Sequence, residues 1–294
     1  MKINDDIVTT PVLNAATVVM IRDSLIKADS IEVFLMQRNQ ASDVFGGAFV
    51  FPGGKVDSTD NDLNMDLHLE QPLSELQKKL NEDQLLEFQA GGLYVAALRE
   101  AFEECGILFA KNITNIELGQ ARKRLKEGQG FSKILTDMQL CLQTSSVVPW
   151  SRWITPRLAS LSSKRFDTRF FIATAIATQK ASHDNYETTN SVWIDPKVAL
   201  KQYWDGEILL APPQIMSLVQ ITHHQKVQTV MTEARSNNPA LIEPEPFDDE
   251  GTRVICYPGD RRHSLDKPLL HGPTRLIFRN NRFEPEGGFE ALFS

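Results

Sequence analysis

The chain has 294 residues, of which 41% are apolar and 23% are charged, and its net charge is −7. This length suffices for one large domain or two small ones, and the composition is that of an ordinary globular protein. The acidic total argues against nonspecific nucleic-acid binding, which needs a basic surface, and the sequence contains no basic run.

The sequence contains few signals for targeting, membrane insertion, disulfide bonds or a zinc site. Residues 1–10 are polar and acidic, which predicts no secretion signal, and no apolar run approaches the length of a membrane span. The three cysteines are scattered without paired spacing, which fits reduced thiols in the cytosol and offers no zinc site. The last residues are not the Ser-Lys-Leu peroxisomal address. We therefore expect a cytoplasmic protein that binds neither nucleic acid nor membranes.

The first elements along the chain are predicted strands. Residues 12–22 and 31–38 are β-rich runs on either side of a turn at 29–30, so they are predicted to form a hairpin. A short third strand is predicted at 48–51. Leucines then recur at helical spacing, which predicts a helix over 72–89.

Helices and strands are interleaved through the rest of the chain. Helices are predicted at 94–105, 116–126, 131–142 and 213–234, and strands at 170–178, 191–194, 253–257 and 274–278. Asp195 and Pro196 form a helix start, an N-cap followed by proline at the first helical position. The proline-rich, acidic stretch 237–249 is interpreted as a surface connection. Because hairpins join some strands and helices join others, the pattern favours an α/β fold with a mixed sheet over a doubly wound parallel sheet.

The most informative segment is the predicted helix that ends at Gly106, a natural C-cap. Its residues Glu100, Glu103 and Glu104 are three and four positions apart, so they project together, with Arg99 beside them. Like charges on one face destabilise a helix unless a cation lies among them, and hard divalent cations prefer carboxylate oxygens. The alternative interpretation is a solvated acidic face.

A glycine turn upstream changes the balance between these interpretations. Residues 51–57 read Phe-Pro-Gly-Gly-Lys-Val-Asp, a strand end that enters a tight turn. A glycine turn followed by Arg-Glu-apolar-x-Glu-Glu-x-Gly-apolar, here at 99–107, resembles the Nudix box, the loop-helix-loop signature of Nudix hydrolases.

An insertion interrupts this box. Residues 58–90 replace the short spacer of the usual box, and Gly91 stands where the box has a further glutamate that helps hold the loop. That carboxylate is missing or is displaced to Asp57 or Asp60. An interrupted box resembles the branch that includes mitochondrial and peroxisomal coenzyme A diphosphatases. Other segments that look like this branch lie at 150–156, 165–171, 210–214 and 257–260.

The resemblance implies an α/β/α sandwich with a mixed sheet, formed by a single Nudix domain over residues 1–294. Additions to that core would be a helical insertion at 58–90, additional helices at 111–145 and a C-terminal extension at 235–294. The related family often dimerises, so the resemblance leaves a homodimer open.

The resemblance also assigns roles, in a metal-dependent hydrolysis of a pyrophosphate bond. Glu103 and Glu104 match the metal-ligand pair, and Glu100 matches the glutamate that binds Mg²⁺ or Mn²⁺ or positions the water. Arg99 matches the arginine that orients the acidic side chains. Gly54 lies where the family's loop approaches the metal.

Later segments supply the candidates for the general base and for substrate binding. Several Nudix enzymes take the base from a glutamate on a later loop, which makes Glu187 the candidate, with an exposed loop glutamate as the alternative. His183, His223 and His224 are alternatives in principle. The candidate substrate-binding residues are Arg38, Gly53, Arg152, Arg165 and Arg169, and structural salt bridges are the alternative interpretation of the last three.

Coenzyme A or an acyl-coenzyme A is the leading predicted substrate, which would yield 3′,5′-ADP and (acyl-)phosphopantetheine. Arg38 and Gly47 match the spacing of a coenzyme A signature, whereas Asp43 stands where that signature has a second arginine. The alternatives are a pyrophosphatase for ADP-ribose, NADH or a similar dinucleotide and, in another class, a noncatalytic nucleotide-binding regulator with a Nudix fold. Because all three glutamates of the motif are present, catalysis ranks above the regulator.

Overall fold

The computed structural model describes residues 7–41, 46–158, 164–183 and 188–294. The strands are β1 (Leu13–Asp23), β2 (Ile31–Arg38), β3 (Phe49–Val50), β4 (Gly53–Lys55), β5 (Val147–Ile154), β6 (Phe166–Thr174), β7 (Thr188–Ile194), β8 (Ala240–Ile242), β9 (Glu245–Asp249), β10 (Thr252–Cys256), β11 (Arg275–Arg279) and β12 (Arg282–Pro285). The helices are α1 (Ser58–Asn61), α2 (Met65–His68), α3 (Leu73–Leu80), α4 (Glu87–Cys105), α5 (Asn115–Lys126), α6 (Phe131–Asp137), α7 (Pro196–Asp205), α8 (Pro212–Thr222) and α9 (Val227–Ser236). Over the ranges described, none of these helices combines the length and the apolar character that crossing a bilayer requires.

The main sheet is mixed, and β1 lies at its centre. β1 pairs in parallel with β6, from Leu13 opposite Phe166 to Ile21 opposite Thr174. On its other edge, the first half of β1 pairs with β4 and the end of β1 pairs with β2, both antiparallel. β5 and then β8 extend the sheet beyond β6, while β3 and β7 pair with β2. The predicted hairpin and the predicted mixed sheet are confirmed.

Helices cover both faces of this sheet, because successive residues of a strand point to opposite faces. Val18 and Met20 of β1 pack with α4, α5 and α6. Val19 and Ile21 pack with α7, α8 and α9 on the other face. All four side chains are at most 1% exposed. This arrangement is the α/β/α sandwich that the resemblance implied.

A second, antiparallel sheet contains β9 to β12. The predicted terminal pair of strands is confirmed, with Val254 of β10 opposite Ile277 of β11. The interpretation of 237–249 as a surface connection is wrong, because β8 pairs with β5 and β9 pairs with β10. Both lie at the end of their sheets, where proline and charged residues are tolerated. This tolerance explains why their composition indicated a loop.

The helix predicted over 72–89 is wrong in its extent. It corresponds to α3, which ends at Leu80, and to the first residues of α4, which begins at Glu87. Asn81 between them has a φ of 55°, a left-handed C-cap conformation that stops α3. The leucine spacing therefore continues across a helix end that one asparagine creates.

The single helix predicted over 213–234 is also wrong, since α8 and α9 are separate. Lys226 before α9 is extended, with φ −137° and ψ 142°. Asp23 at the end of β1 accepts a hydrogen bond from the backbone N of Val227, at 2.9 Å. The start of α9 is thus capped by a distant strand, which the local pattern does not reveal.

Candidate active site

α4 carries the acidic motif, and its buried side fixes the direction in which the motif points. Val95, Leu98 and Phe102 are fully buried in the core on the α4 face of the sheet. The helix ends at Gly106, whose φ of 71° is the left-handed C-cap that the sequence predicted. With this side of α4 held by the core, its charged residues face the β4 turn.

The glycine turn brings the backbone of β4 against those residues. Glu104 accepts a hydrogen bond from the backbone N of Gly53, at 2.8 Å. A Cβ built on Gly54 would lie 2.6 Å from Cδ of Glu100, and one built on Gly53 would lie 2.6 Å from the carbonyl O of Ala16. Neither position has space for a side chain, which explains the paired glycines.

Arg99 connects the parts of the site. Its guanidinium has five N–H donors, and the structure provides five acceptors. Nε donates to Oδ1 of Asp60 at 2.7 Å, and Nη2 donates to Oδ2 of Asp60 and to the Lys55 carbonyl, both at 3.0 Å. Nη1 donates to Oε1 of Glu100 at 2.8 Å and to Oε2 of Glu103 at 2.9 Å. Of the two candidates for the displaced carboxylate, Asp60 is the one that contacts the arginine.

Burial and nearby charges shift the pKa of Arg99 in opposite directions. Its side chain is only 11% exposed, and this burial alone would lower the pKa of the guanidinium. The hydrogen bond to Asp60 and the charges of Glu100 and Glu103 outweigh burial and raise that pKa. The cation is therefore permanent, and it offsets part of the repulsion among the acidic side chains.

The donor set beside β4 suits a hard divalent cation. Glu100, Glu103 and Glu104 supply carboxylate oxygens, and Gly54 leaves no side chain between the turn and Glu100. In the described part of the chain, no three His, Cys, Asp or Glu side chains converge closely enough to hold a metal ion as they stand. Their partners here include Arg99 and the β4 backbone. Metal binding here would therefore require some of these carboxylates to exchange their present partners.

Two of the candidate substrate-binding arginines, Arg152 and Arg169, have carboxylate partners. Arg152 donates Nε and Nη2 to Asp167, at 2.8 and 2.6 Å, and its Nη1 lies 2.8 Å from Glu82. Arg169 is 3% exposed and donates Nε and Nη2 to Glu82, at 2.9 and 2.6 Å. This geometry supports the interpretation as structural salt bridges. Glu82 belongs to the insertion, and no local signal in the sequence indicated its role.

The remaining candidate substrate-binding side chains are Arg165, directly before β6, and Arg38, at the end of β2. Arg165 donates Nε to the carbonyl O of Thr155, at 2.9 Å. Arg38 is the last residue of β2. Glu187, the candidate general base, and Asp43 lie outside the described residues.

The histidine alternatives make contacts of their own. Nδ1 of His183 lies 3.0 Å from Oγ of Ser191. The prediction that His223 and His224 lie inside a helix is wrong, because α8 ends before them and His223 is its C-cap. The ring of His223 contacts that of His271, with centroids 4.6 Å apart.

Known proteins share both the sequence pattern and the fold. Residues 70–221, more than half of the chain, match the family model described as the NUDT19 Nudix domain. Acyl-coenzyme A diphosphatase NUDT19 of Xenopus laevis is 29% identical over 230 residues, which are 65% of this chain and 60% of that protein. Putative nudix hydrolase 7 of Caenorhabditis elegans is 26% identical over 257 residues, which are 83% of this chain and 74% of that protein. The chain thus spans less than two thirds of the length of the Xenopus relative.

A solved structure supports the fold alone. The crystal structure of a Nudix hydrolase from Alicyclobacillus acidocaldarius superposes with a TM-score of 0.59 and 24% identity, over 79% of this chain and 98% of its own. The family model, this superposition and the interrupted acidic motif agree with one another. The chain belongs to the Nudix hydrolase family, in the branch that the NUDT19 Nudix domain describes.

Proposed function

We propose that this protein is a metal-dependent hydrolase that cleaves the pyrophosphate bond of coenzyme A or an acyl-coenzyme A. The products would be 3′,5′-ADP and (acyl-)phosphopantetheine. The observation that carries the proposal is the cluster of Arg99, Glu100, Glu103 and Glu104 against the bare backbone of Gly54. The name of the Xenopus relative, an acyl-coenzyme A diphosphatase, supports the substrate class.

Each side chain of the cluster has a proposed role. Glu100, Glu103 and Glu104, with the carbonyl of Gly54, would hold Mg²⁺ or Mn²⁺. When bound, such an ion offsets pyrophosphate charge, lowers the pKa of a bound water and orients the leaving oxygen. Arg99 orients Glu100 and Glu103 through its Nη1. The Glu103 side chain is 33% exposed, so it is accessible to an arriving substrate.

Substrate contacts and a general base complete the proposed mechanism. Arg152 and Arg169 are weaker candidates for phosphate contacts, because carboxylates already accept their hydrogen bonds. Arg38, Gly53 and Arg165 are the other proposed substrate-binding residues. Glu187 stays the proposed general base because of its position in the sequence, directly before β7.

Product analysis by mass spectrometry tests the proposal. Coenzyme A, acetyl-coenzyme A, ADP-ribose and NADH are incubated separately with the protein and Mg²⁺ or Mn²⁺. We expect metal-dependent release of 3′,5′-ADP from coenzyme A or its acetyl ester. Glu103→Gln should abolish it without unfolding the protein, because glutamine keeps the shape and can still accept from Arg99. Glu127→Gln, at a surface ion pair with Lys123, is the matched control and should keep full turnover.

The other outcomes would change the proposed substrate or refute the proposal. AMP released only from ADP-ribose or NADH would keep the hydrolase and change its substrate. Turnover that persists in Glu103→Gln would contradict the role of that residue. The lack of turnover on all four compounds would favour the nucleotide-binding regulator.

A further inference from the structure

A groove lies beside β5, at the edge of the main sheet. β8 pairs with β5 only from Ser151 to Trp153, so within the described residues the first half of β5 has no strand neighbour on that side. α3 packs in the core on the α4 face of the sheet, and α9 packs in the core on the opposite face. The groove between these helices has a volume of about 870 Å³, which is within the range of small-molecule sites.

The floor of the groove is apolar and its rim is polar. Phe109, Val147 and Met231 line the groove and are only 1%, 2% and 3% exposed, so they form the floor. Every exposed residue of the lining is polar or charged. These rim residues include Lys78, Lys79, Ser145, Arg235, Asn237 and Asn238. A ligand that fits this surface has an apolar body and a polar end.

The charges on the rim are mostly positive. Lys78 and Lys79 belong to α3, and Arg235 belongs to α9, so both walls carry a cation. Glu75 is the one carboxylate among the described lining residues, and it lies 2.8 Å from Nζ of Lys79. Over the described ranges, neither Lys78 nor Arg235 has a carboxylate partner. Two positive charges are therefore uncompensated, in a chain whose net charge is −7.

These two properties define the chemistry of the ligand. Uncompensated cations on both walls attract an anion. Of the described lining residues, Phe109 alone is aromatic, and its burial leaves no ring on which a nucleotide base could stack. The rest of the floor is aliphatic, and it suits a hydrocarbon chain.

We propose that this groove binds an amphipathic anion, an aliphatic chain that ends in a carboxylate or a phosphate. The chain would lie along the floor, and the anionic head would lie between Lys78 and Arg235. The groove is separate from the acidic cluster, because β1 and β6 lie between β4 and β5. Three strand spacings correspond to roughly 14 Å across the sheet. The proposal therefore does not depend on the proposed hydrolysis.

Isothermal titration calorimetry of the full-length protein tests the proposal with decanoate, decyl phosphate and decanol. We expect at least one of the two anions to bind, and the tighter one identifies the head group. Decanol has a similar chain without the charge, so it should bind at least fivefold more weakly. Inorganic phosphate has the charge without the chain, so it should not displace the bound anion. The proposal would be overturned if neither anion bound, if decanol bound as tightly, or if inorganic phosphate competed.

Two substitutions on the rim test the location of the head group. Lys78→Gln and Arg235→Gln each remove one charge from an exposed side chain, so the fold should be retained. Each should weaken binding of the anion about fivefold, and both together about 25-fold. Lys126→Gln is the matched control, because it removes the same charge from an exposed lysine at the end of α5, outside the groove. Wild-type affinity in the double variant, or an equal loss in the control, would refute the assignment.

Glu103→Gln distinguishes the groove from the acidic cluster. This substitution changes the proposed metal site and no residue of the groove, so the anion should bind as it does to the wild type. Weaker or tighter binding in Glu103→Gln would place the ligand in the acidic cluster and overturn the proposal. Calorimetry requires no turnover, so a protein without hydrolase activity would refute the proposed function and still allow the groove to be tested.

Discussion

Substitution of Glu82 tests whether its contacts with two arginines attach the insertion to the sheet. Glu82→Gln removes the carboxylate that accepts Nε and Nη2 of Arg169, at 2.9 and 2.6 Å, and that lies 2.8 Å from Nη1 of Arg152. Because Arg169 is 3% exposed, water cannot replace the lost partner.

The size of the effect follows from what remains after the change. A hydrogen bond to a charged group contributes about 1.5–3 kcal/mol, and removal of one partner of a buried pair costs about 3–5 kcal/mol. The glutamine oxygen can keep one of the contacts, and Asp167 stays 3.2 Å from Nη1 of Arg169. We therefore expect the free energy of unfolding to fall by about 2–4 kcal/mol.

Urea denaturation followed by circular dichroism measures this loss. Asp83→Asn is the matched control, since its side chain is exposed and directly follows Glu82 in sequence. It should change stability by less than about 0.5 kcal/mol. If Glu82→Gln were as stable as that control, the network would not anchor the insertion, and the two arginines would again be candidates for substrate binding.

Three further predictions concern stability. Gly119 lies in an exposed turn of α5, and a Cβ added there would meet open space, so Gly119→Ala should raise the free energy of unfolding by about 1 kcal/mol. Gly91→Ala should lower it, because side chains of the insertion occupy the space of the added Cβ, and equal shifts in melting temperature would contradict this. Burial raises the pKa of Asp260, but its hydrogen bonds to Arg275 outweigh burial and lower the pKa below 3.8. Asp260→Asn should therefore destabilise the protein at neutral pH, and the difference in free energy of unfolding between variant and wild type should vanish as acid protonates the wild-type carboxylate. Denaturation at several pH values measures this difference, and a value that does not change with pH would contradict the prediction. Burial lowers the pKa of His223 below 6.5, so protonation of this ring opposes folding, and the free energy of unfolding should fall as the pH drops through 6.5. His223→Gln should flatten this pH dependence, and an unaltered slope in the variant would contradict the assignment to His223.

Local signals in the sequence were sufficient to predict most elements of the fold. The C-cap glycine at Gly106 and the N-cap at Asp195 mark helix boundaries that the structure confirms. The charge pattern of α4 and the paired glycines identified residues that the structure brings into contact. Each of these features depends on neighbours within one or two turns of the chain, which periodicity and capping rules describe.

Contacts between distant segments account for what the sequence did not reveal. Asp60 and Arg99 are 39 positions apart, and the sequence left Asp57 as an equal candidate. Glu82 and Arg169 are 87 positions apart, so two arginines in strands were open to interpretation as phosphate ligands. The break before α9 depends on Asp23, 204 positions away. In each case a tertiary hydrogen bond decides between alternatives that are locally equivalent.

The parallel pairing of β1 with β6 also has a consequence for biosynthesis. Leu13 of β1 lies opposite Phe166 of β6, so this pairing closes a loop of about 150 residues. A ribosome delivers the N-terminal segments first, and long-range parallel pairing forms slowly. The hairpin of β1 and β2 and the whole of α4 emerge before β6 exists to complete the sheet. Until that strand is synthesised, the apolar side of α4 lacks part of its final surface, and a nascent chain stalled before residue 166 would be the form most exposed to chaperones.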